Sequence, residues 1–132
     1  MKYIYAIIFG LVSTVLIACS VETSANTPAT TDDAIKTKML RLDKQTKKLI
    51  GSASCSSDNQ CHSIGFGHKP CGGSYSYRIY SDQNTNVFQL KDQVKQYNEL
   101  TREQNKKGNL VSDCMMLIPP QLACRKHTCQ VK

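Results

Sequence analysis

No apolar stretch in this 132-residue chain reaches the ~20 residues that a helix needs to cross the hydrocarbon core of a bilayer. The longest runs from Tyr3 to Ala18 and gives way to Ser, Glu and Thr instead of a basic stop-transfer cluster, which argues against a transmembrane anchor. Common catalytic signatures are missing too. There is no Gly-x-Ser-x-Gly elbow and no Ser followed three residues later by Lys, the patterns that place a serine nucleophile beside its base. Gly65-Phe66-Gly67 and Gly72-Gly73 do not lead into a helix, so they read as turns, not as a phosphate loop. His62 and His68, with a nearby carboxylate, are the nearest approach to a zinc set, but their spacing matches no common metal pattern, and His127 stands apart. Acidic residues are few: 10 Asp and Glu against 17 Lys and Arg, a formal net charge of +7. That balance favours anionic surfaces without naming one, and no nucleic-acid motif accompanies it. The chain is expected to be non-enzymatic, with no catalytic residues, no cofactor, no metal and no nucleic-acid partner.

What the chain does have is cysteine, seven in all. Cys19 closes the run Leu16-Ile17-Ala18-Cys19, behind a charged start at Lys2 and an apolar h-region from about Tyr3 to Leu16. This resembles the leader and lipobox of a bacterial lipoprotein. The resemblance implies a signal peptide over 1–18 and a diacylglycerol-bearing, fatty-acylated Cys19 as the first residue of the mature protein. With Ser20 next, it also implies sorting to the outer membrane of the cell envelope. Spending Cys19 on lipid leaves six of the seven cysteines, the even set that a disulfide framework requires: Cys55, Cys61, Cys71, Cys114, Cys124 and Cys129. Losing Lys2 with the leader lowers the formal charge by one unit.

Residues 19–33 are rich in Ser, Thr, Ala, Asn and Pro and poor in apolar side chains, so they are expected to form a flexible tether. A basic amphipathic helix is expected over 34–50. Ile35, Met39, Leu42 and Leu49 recur at helical spacing, Thr31, Asp32 and Asp33 supply caps and negative charge, and Gly51 marks the stop. Lys36, Lys38, Arg41, Lys44, Lys47 and Lys48 make the rest of its surface basic. Such a face suits anionic lipid headgroups, but plain solvation of a helix that packs by its apolar stripe is the preferred reading.

All six remaining cysteines lie in 51–132, which is expected to be a disulfide-stabilised α+β domain. Ser74 to Ile79 alternates cleanly, with Tyr75, Tyr77 and Ile79 on one face and Ser74, Ser76 and Arg78 on the other. Weaker strands are expected at 60–66 and 112–118, and a hairpin at 121–131 with its tip at Lys126-His127. Pro119-Pro120 breaks the chain between these last two. From about Asn86 to Lys107, Val87, Leu90, Val94 and Tyr97, flanked by Phe88 and Leu100, give a core-facing helix capped by Asn86 and ended by Gly108-Asn109. The fold class is therefore one long amphipathic helix on a short, mostly antiparallel sheet, preceded by a separate N-terminal helix.

Sequence does not choose among the pairings open to six cysteines. Cys71 with Cys114 is preferred, because it ties the start of the Tyr-rich strand to the segment after the long helix. The other four are expected either to close locally, as Cys55–Cys61 and Cys124–Cys129, or to zip as Cys55–Cys129 and Cys61–Cys124, with local closure preferred. The segments Cys55-Ser-Ser-Asp58-Asn-Gln60-Cys61, Lys69-Pro70-Cys71-Gly72-Gly73, Tyr80-Ser81, Ser112-Asp113-Cys114 and Cys124-x4-Cys129 resemble small Cys-rich bacterial secreted proteins and lipoproteins of unassigned function, over about Ser54 to Val131. Cys55 to Cys61 alone is also similar to one piece of whey-acidic-protein inhibitor modules, without their adjacent double Cys. The leading expectation is an envelope-anchored binding or accessory protein, held at the membrane through Cys19 and partnered by an envelope protein or an anionic lipid surface. The alternative is a disulfide-braced inhibitor of exported proteases, offering Lys69-Pro70 or Arg125-Lys126.

Overall fold

The computed structural model describes residues 31–132. The proposed leader, Cys19 and residues 20–30 of the expected tether lie outside the described residues. The chain is α+β: helix α1 (Thr31–Ile50), strands β1 (Cys61–Phe66) and β2 (Ser76–Ser81), helix α2 (Val87–Lys107), and strands β3 (Leu122–Arg125) and β4 (Thr128–Val131). The strands make two separate antiparallel pairs, β1 with β2 and β3 with β4. No described helix is long and apolar enough to cross a membrane.

The α2 stripe forms as its spacing dictates. Leu90 and Val94 are buried, with Val87 and Tyr97 packed beside them, and the Asn86 side chain accepts from the Gln89 amide at the N-cap. Thr101 and Asn105 carry the buried stripe on toward the C-terminus, whereas Phe88, expected on its flank, is 86% exposed because it points away from that line. Helix α1 packs along α2 through buried Ile35, Leu42 and Thr46, and its last residues Leu49 and Ile50 enter the core. Gly51 then ends it at φ 57°, donating its amide to the Lys47 carbonyl.

Alternate residues of β1 and β2 point to opposite faces, and both faces are covered. Phe66, Ile64 and Tyr80 face the helices in the main cluster with Leu90 and Val94. Cys61 and Ile79 face the other way, into a second cluster of Ala53, Cys55, Cys124 and Cys129. The face with the more polar sequence is thus the one turned to the helices. Arg78 permits it: its guanidinium lies 4.3 Å over the Phe66 ring and donates to Asp43 of α1 at 2.7 Å. Asn98 fixes α2 to the end of β1, accepting from the Gly67 amide at 2.7 Å and donating to the Gly65 carbonyl at 3.1 Å.

The disulfides are Cys55–Cys124, Cys61–Cys129 and Cys71–Cys114. The third is the preferred pairing, but neither arrangement of the other four holds. Cys124 and Cys129 are cross-strand partners in the hairpin, yet each bonds the segment running alongside it. Backbone bonds between Cys55 and His127 and between Cys129 and Ala53 make 53–55 a short neighbour of β4. The Asp58 carboxylate, accepting from the Cys124 amide at 2.8 Å, sets Cys124 beside Cys55. Bridges spanning 69 and 68 residues also restrict the unfolded chain more than local closure would, by about 4 against about 2 kcal/mol in the chain-entropy account. Because the two loops nearly coincide, the second bridge adds less than the first.

Candidate functional site

The chain between α2 and β3 departs most from its sequence reading. Residues 112–118, expected as a strand, pair with nothing: no backbone hydrogen bond joins 111–120 to another backbone group among the described residues. The apolar run that suggested a strand instead lies open, with Met116 and Ile118 78% and 83% exposed and Met115 and Leu117 less so. Pro119-Pro120 immediately after it is the sequence signal that denies this run a ladder.

This strap is nonetheless firmly placed. Cys114, at φ 52°, is bonded to Cys71. The Lys69 ammonium, its side chain only 10% exposed, donates to Asp113 Oδ1 at 3.0 Å and to the Met115 carbonyl at 2.8 Å. Tyr77 donates its phenol to the Leu117 carbonyl at 3.1 Å. Lys69 holds the Asp113 carboxyl below the usual carboxylate range, chiefly through their hydrogen bond, aided by the Met115 amide. Two main-chain carbonyls are therefore gripped from behind while the apolar side chains between and beyond them face out. The base of the grip is the turn after β1, where Lys69 accepts from Gly72 and donates to Gly73, both glycines having positive φ.

The other sequence-derived candidates scatter. Lys36, Lys38, Arg41, Lys44, Lys47 and Lys48 are all exposed on α1, with Lys36 and Lys48 at the edges of its contact with α2. Lys47 pairs with Asp43 at 2.7 Å. His62 sits 3.0 Å from Asp82, and His68 bonds the Lys69 carbonyl; β1 lies between them, about 20 Å of extended chain, so they do not converge. Among the described residues, the sulfurs of Cys55, Cys61 and Cys129 lie within 4.8 Å of one another, but all are consumed in disulfides. Lys69-Pro70, one proposed inhibitory bond, has its lysine buried in the grip. Lys126-His127 is the exposed hairpin tip as expected, with both residues at positive φ.

A second feature that the sequence did not single out is a cleft of about 590 Å³ between the 68–72 turn and the last turns of α2. Arg102 and Lys106 reach it from successive turns, yet alternating signs along α2 read as a merely solvated face. No protein-family model, curated protein or solved structure matches this chain.

Proposed function

We propose that this chain is a non-enzymatic, lipid-anchored protein of the bacterial cell envelope, built as a binding or accessory module, with the strap Met115–Ile118 as its contact element. The observation that carries this reading is the strap's combination of exposure and restraint. Apolar side chains that stay exposed on a preorganised main chain bind without a large ordering cost. The partner is an extended segment of an envelope protein, not the bilayer. An unpaired extended backbone driven into hydrocarbon would lose water at each free amide and carbonyl, whereas a partner strand would satisfy them and take alternate side chains into its pockets. Attachment through Cys19 rests on the lipobox resemblance.

Two measurements test this. A photo-crosslinking residue at Met116 should give a discrete envelope adduct that is absent when the same residue replaces exposed Phe88, and that disappears with Ile118→Asp. Equal labelling from both positions would refute the strap as the contact. Separately, Cys19→Ser should lose fatty-acid labelling and the membrane fraction; a variant still acylated would end the lipoprotein reading.

The grip on the Met115 and Leu117 carbonyls favours a second reading, inhibition of exported proteases, because a rigid extended main chain is what a protease cleft accepts. In that case the specificity is apolar, set by Met116 or Leu117, not the basic specificity that Lys69 would give. Inhibition of subtilisin- or chymotrypsin-like enzymes but not of trypsin-like ones is the expected pattern.

A further inference from the structure

The charges around the cleft between the 68–72 turn and the end of α2 are uneven. His68, Pro70, Arg102, Asn105, Lys106 and Leu110 are among its lining residues, and no carboxylate is. Lys69 also lines the cleft but is compensated by Asp113 at 3.0 Å, and Lys107 nearby pairs with Glu103 at 2.9 Å. Arg102 and Lys106 have no ion pair among the described residues, and at i and i+4 on α2 they project in the same direction.

The bland account of Lys106 is that it complements the negative end of the helix dipole. That end is, however, already capped from the backbone: Gly108, Leu110 and Asn109 donate to the Gln104, Asn105 and Lys106 carbonyls. The buried Asn105 amide is likewise spent, donating to the His68 carbonyl. His68 Nδ1 lies 2.8 Å from the Lys69 carbonyl. A carbonyl only accepts, so Nδ1 donates and Nε2 is left as an acceptor, open to a ligand hydroxyl but not to a phosphate oxygen. Pro70 and Leu110 add an apolar wall. The volume lies within the range of small-molecule sites, roughly 300–1,000 Å³.

We infer that this cleft binds a phosphate group carried on a molecule with an apolar part. The Arg102 guanidinium supplies a forked donor for two phosphate oxygens, Lys106 a point charge beside it, and Pro70 with Leu110 the surface for the apolar moiety. The site shares no residue with the basic face of α1 or with the apolar side chains of the strap, although Lys69 and Cys71, which anchor the strap, also line the cleft.

Two sources carry this chemistry, a phospholipid headgroup and a free phosphate ester, and the probes separate them. The full chain is titrated with dihexanoyl phosphatidylglycerol below its micelle concentration, with glycerol 3-phosphate, and with dihexanoyl phosphatidylcholine, whose headgroup has no net charge. Amide shifts of Gly72, Gly73 and Leu110 are followed by NMR. The expected result is saturable binding of the phosphatidylglycerol, at least tenfold tighter than of the other two probes, and at least a tenfold loss in the Arg102→Gln/Lys106→Gln variant. Equal binding of glycerol 3-phosphate would assign the site to free phosphate esters and overturn the role of the apolar wall. Binding unchanged in the double variant, or abolished instead by Lys36→Gln/Lys38→Gln, would overturn the site itself. Both substitutions lie on exposed helix surface, and an unchanged thermal transition shows that the fold is retained.

Discussion

The Lys69 ammonium and an Asp113 carboxylate oxygen meet at 3.0 Å across 44 residues of sequence, and the same ammonium holds the Met115 carbonyl. A buried cation at a turn thus anchors an apolar segment that the described fold leaves uncovered. Because the folded Asp113 carboxyl titrates below its ordinary value of 3.8, its contribution is fully present above about pH 4. It is lost as the pH falls through the lowered value. The Met115 amide, which donates to Asp113 Oδ1 at 3.3 Å, should accordingly lose exchange protection in acid before the core does, and Lys69→Gln should return the Asp113 titration toward 3.8. An Asp113 carboxyl titrating at its ordinary value in the unaltered protein would show that the clamp is not formed in solution.

Asn98→Ala should destabilise the domain by about 1–3 kcal/mol. It removes the partners of the Gly67 amide and the Gly65 carbonyl and leaves a buried amide unsatisfied. Asn98→Asp should also destabilise, since it keeps the acceptor but turns a second oxygen on the Gly65 carbonyl. Chemical denaturation measures both.

The opposite sign is expected at Thr46. Its side chain is fully buried between the helices and its hydroxyl has no partner. Thr46→Val keeps the shape and removes the orphan oxygen, so it should raise stability by about 1 kcal/mol, read as a thermal midpoint several degrees higher. A lower midpoint would mean that the hydroxyl finds a partner in solution.

Peptide mapping under non-reducing conditions should recover Cys55 with Cys124, Cys61 with Cys129 and Cys71 with Cys114. Replacing Cys71 and Cys114 together by Ser should cost about 2–4 kcal/mol and loosen the strap, while the hairpin keeps its protection. Recovery of a Cys124–Cys129 peptide would contradict the pairing.

The helices were legible because period and burial coincide: Leu90 and Val94 recur on the face that packs, and Asn86 caps where its side chain has an amide to meet. Sequence failed where a polar residue does an apolar residue's job. Thr101 and Asn105 continue the α2 stripe, and Arg78 faces the core because Asp43 neutralises it and Phe66 offers it a ring. The strap was misread for the converse reason, since an apolar run signals burial only if an element exists to cover it. The order of the elements favoured Cys114 as the partner of Cys71, but the other pairs depend on a backbone neighbour at 53–55 and on Asp58, neither of which that order encodes.

The two long bridges join residues 55 and 61 to the C-terminal hairpin, while the strap lies between Cys114 and Cys124. A cut anywhere from Met115 to Ile118 therefore severs one chain into two pieces that remain covalently attached at two points, with Cys71–Cys114 still bracing the upstream end. These exposed peptide bonds are ones whose hydrolysis releases nothing. A protease acting there would leave a nicked but assembled protein.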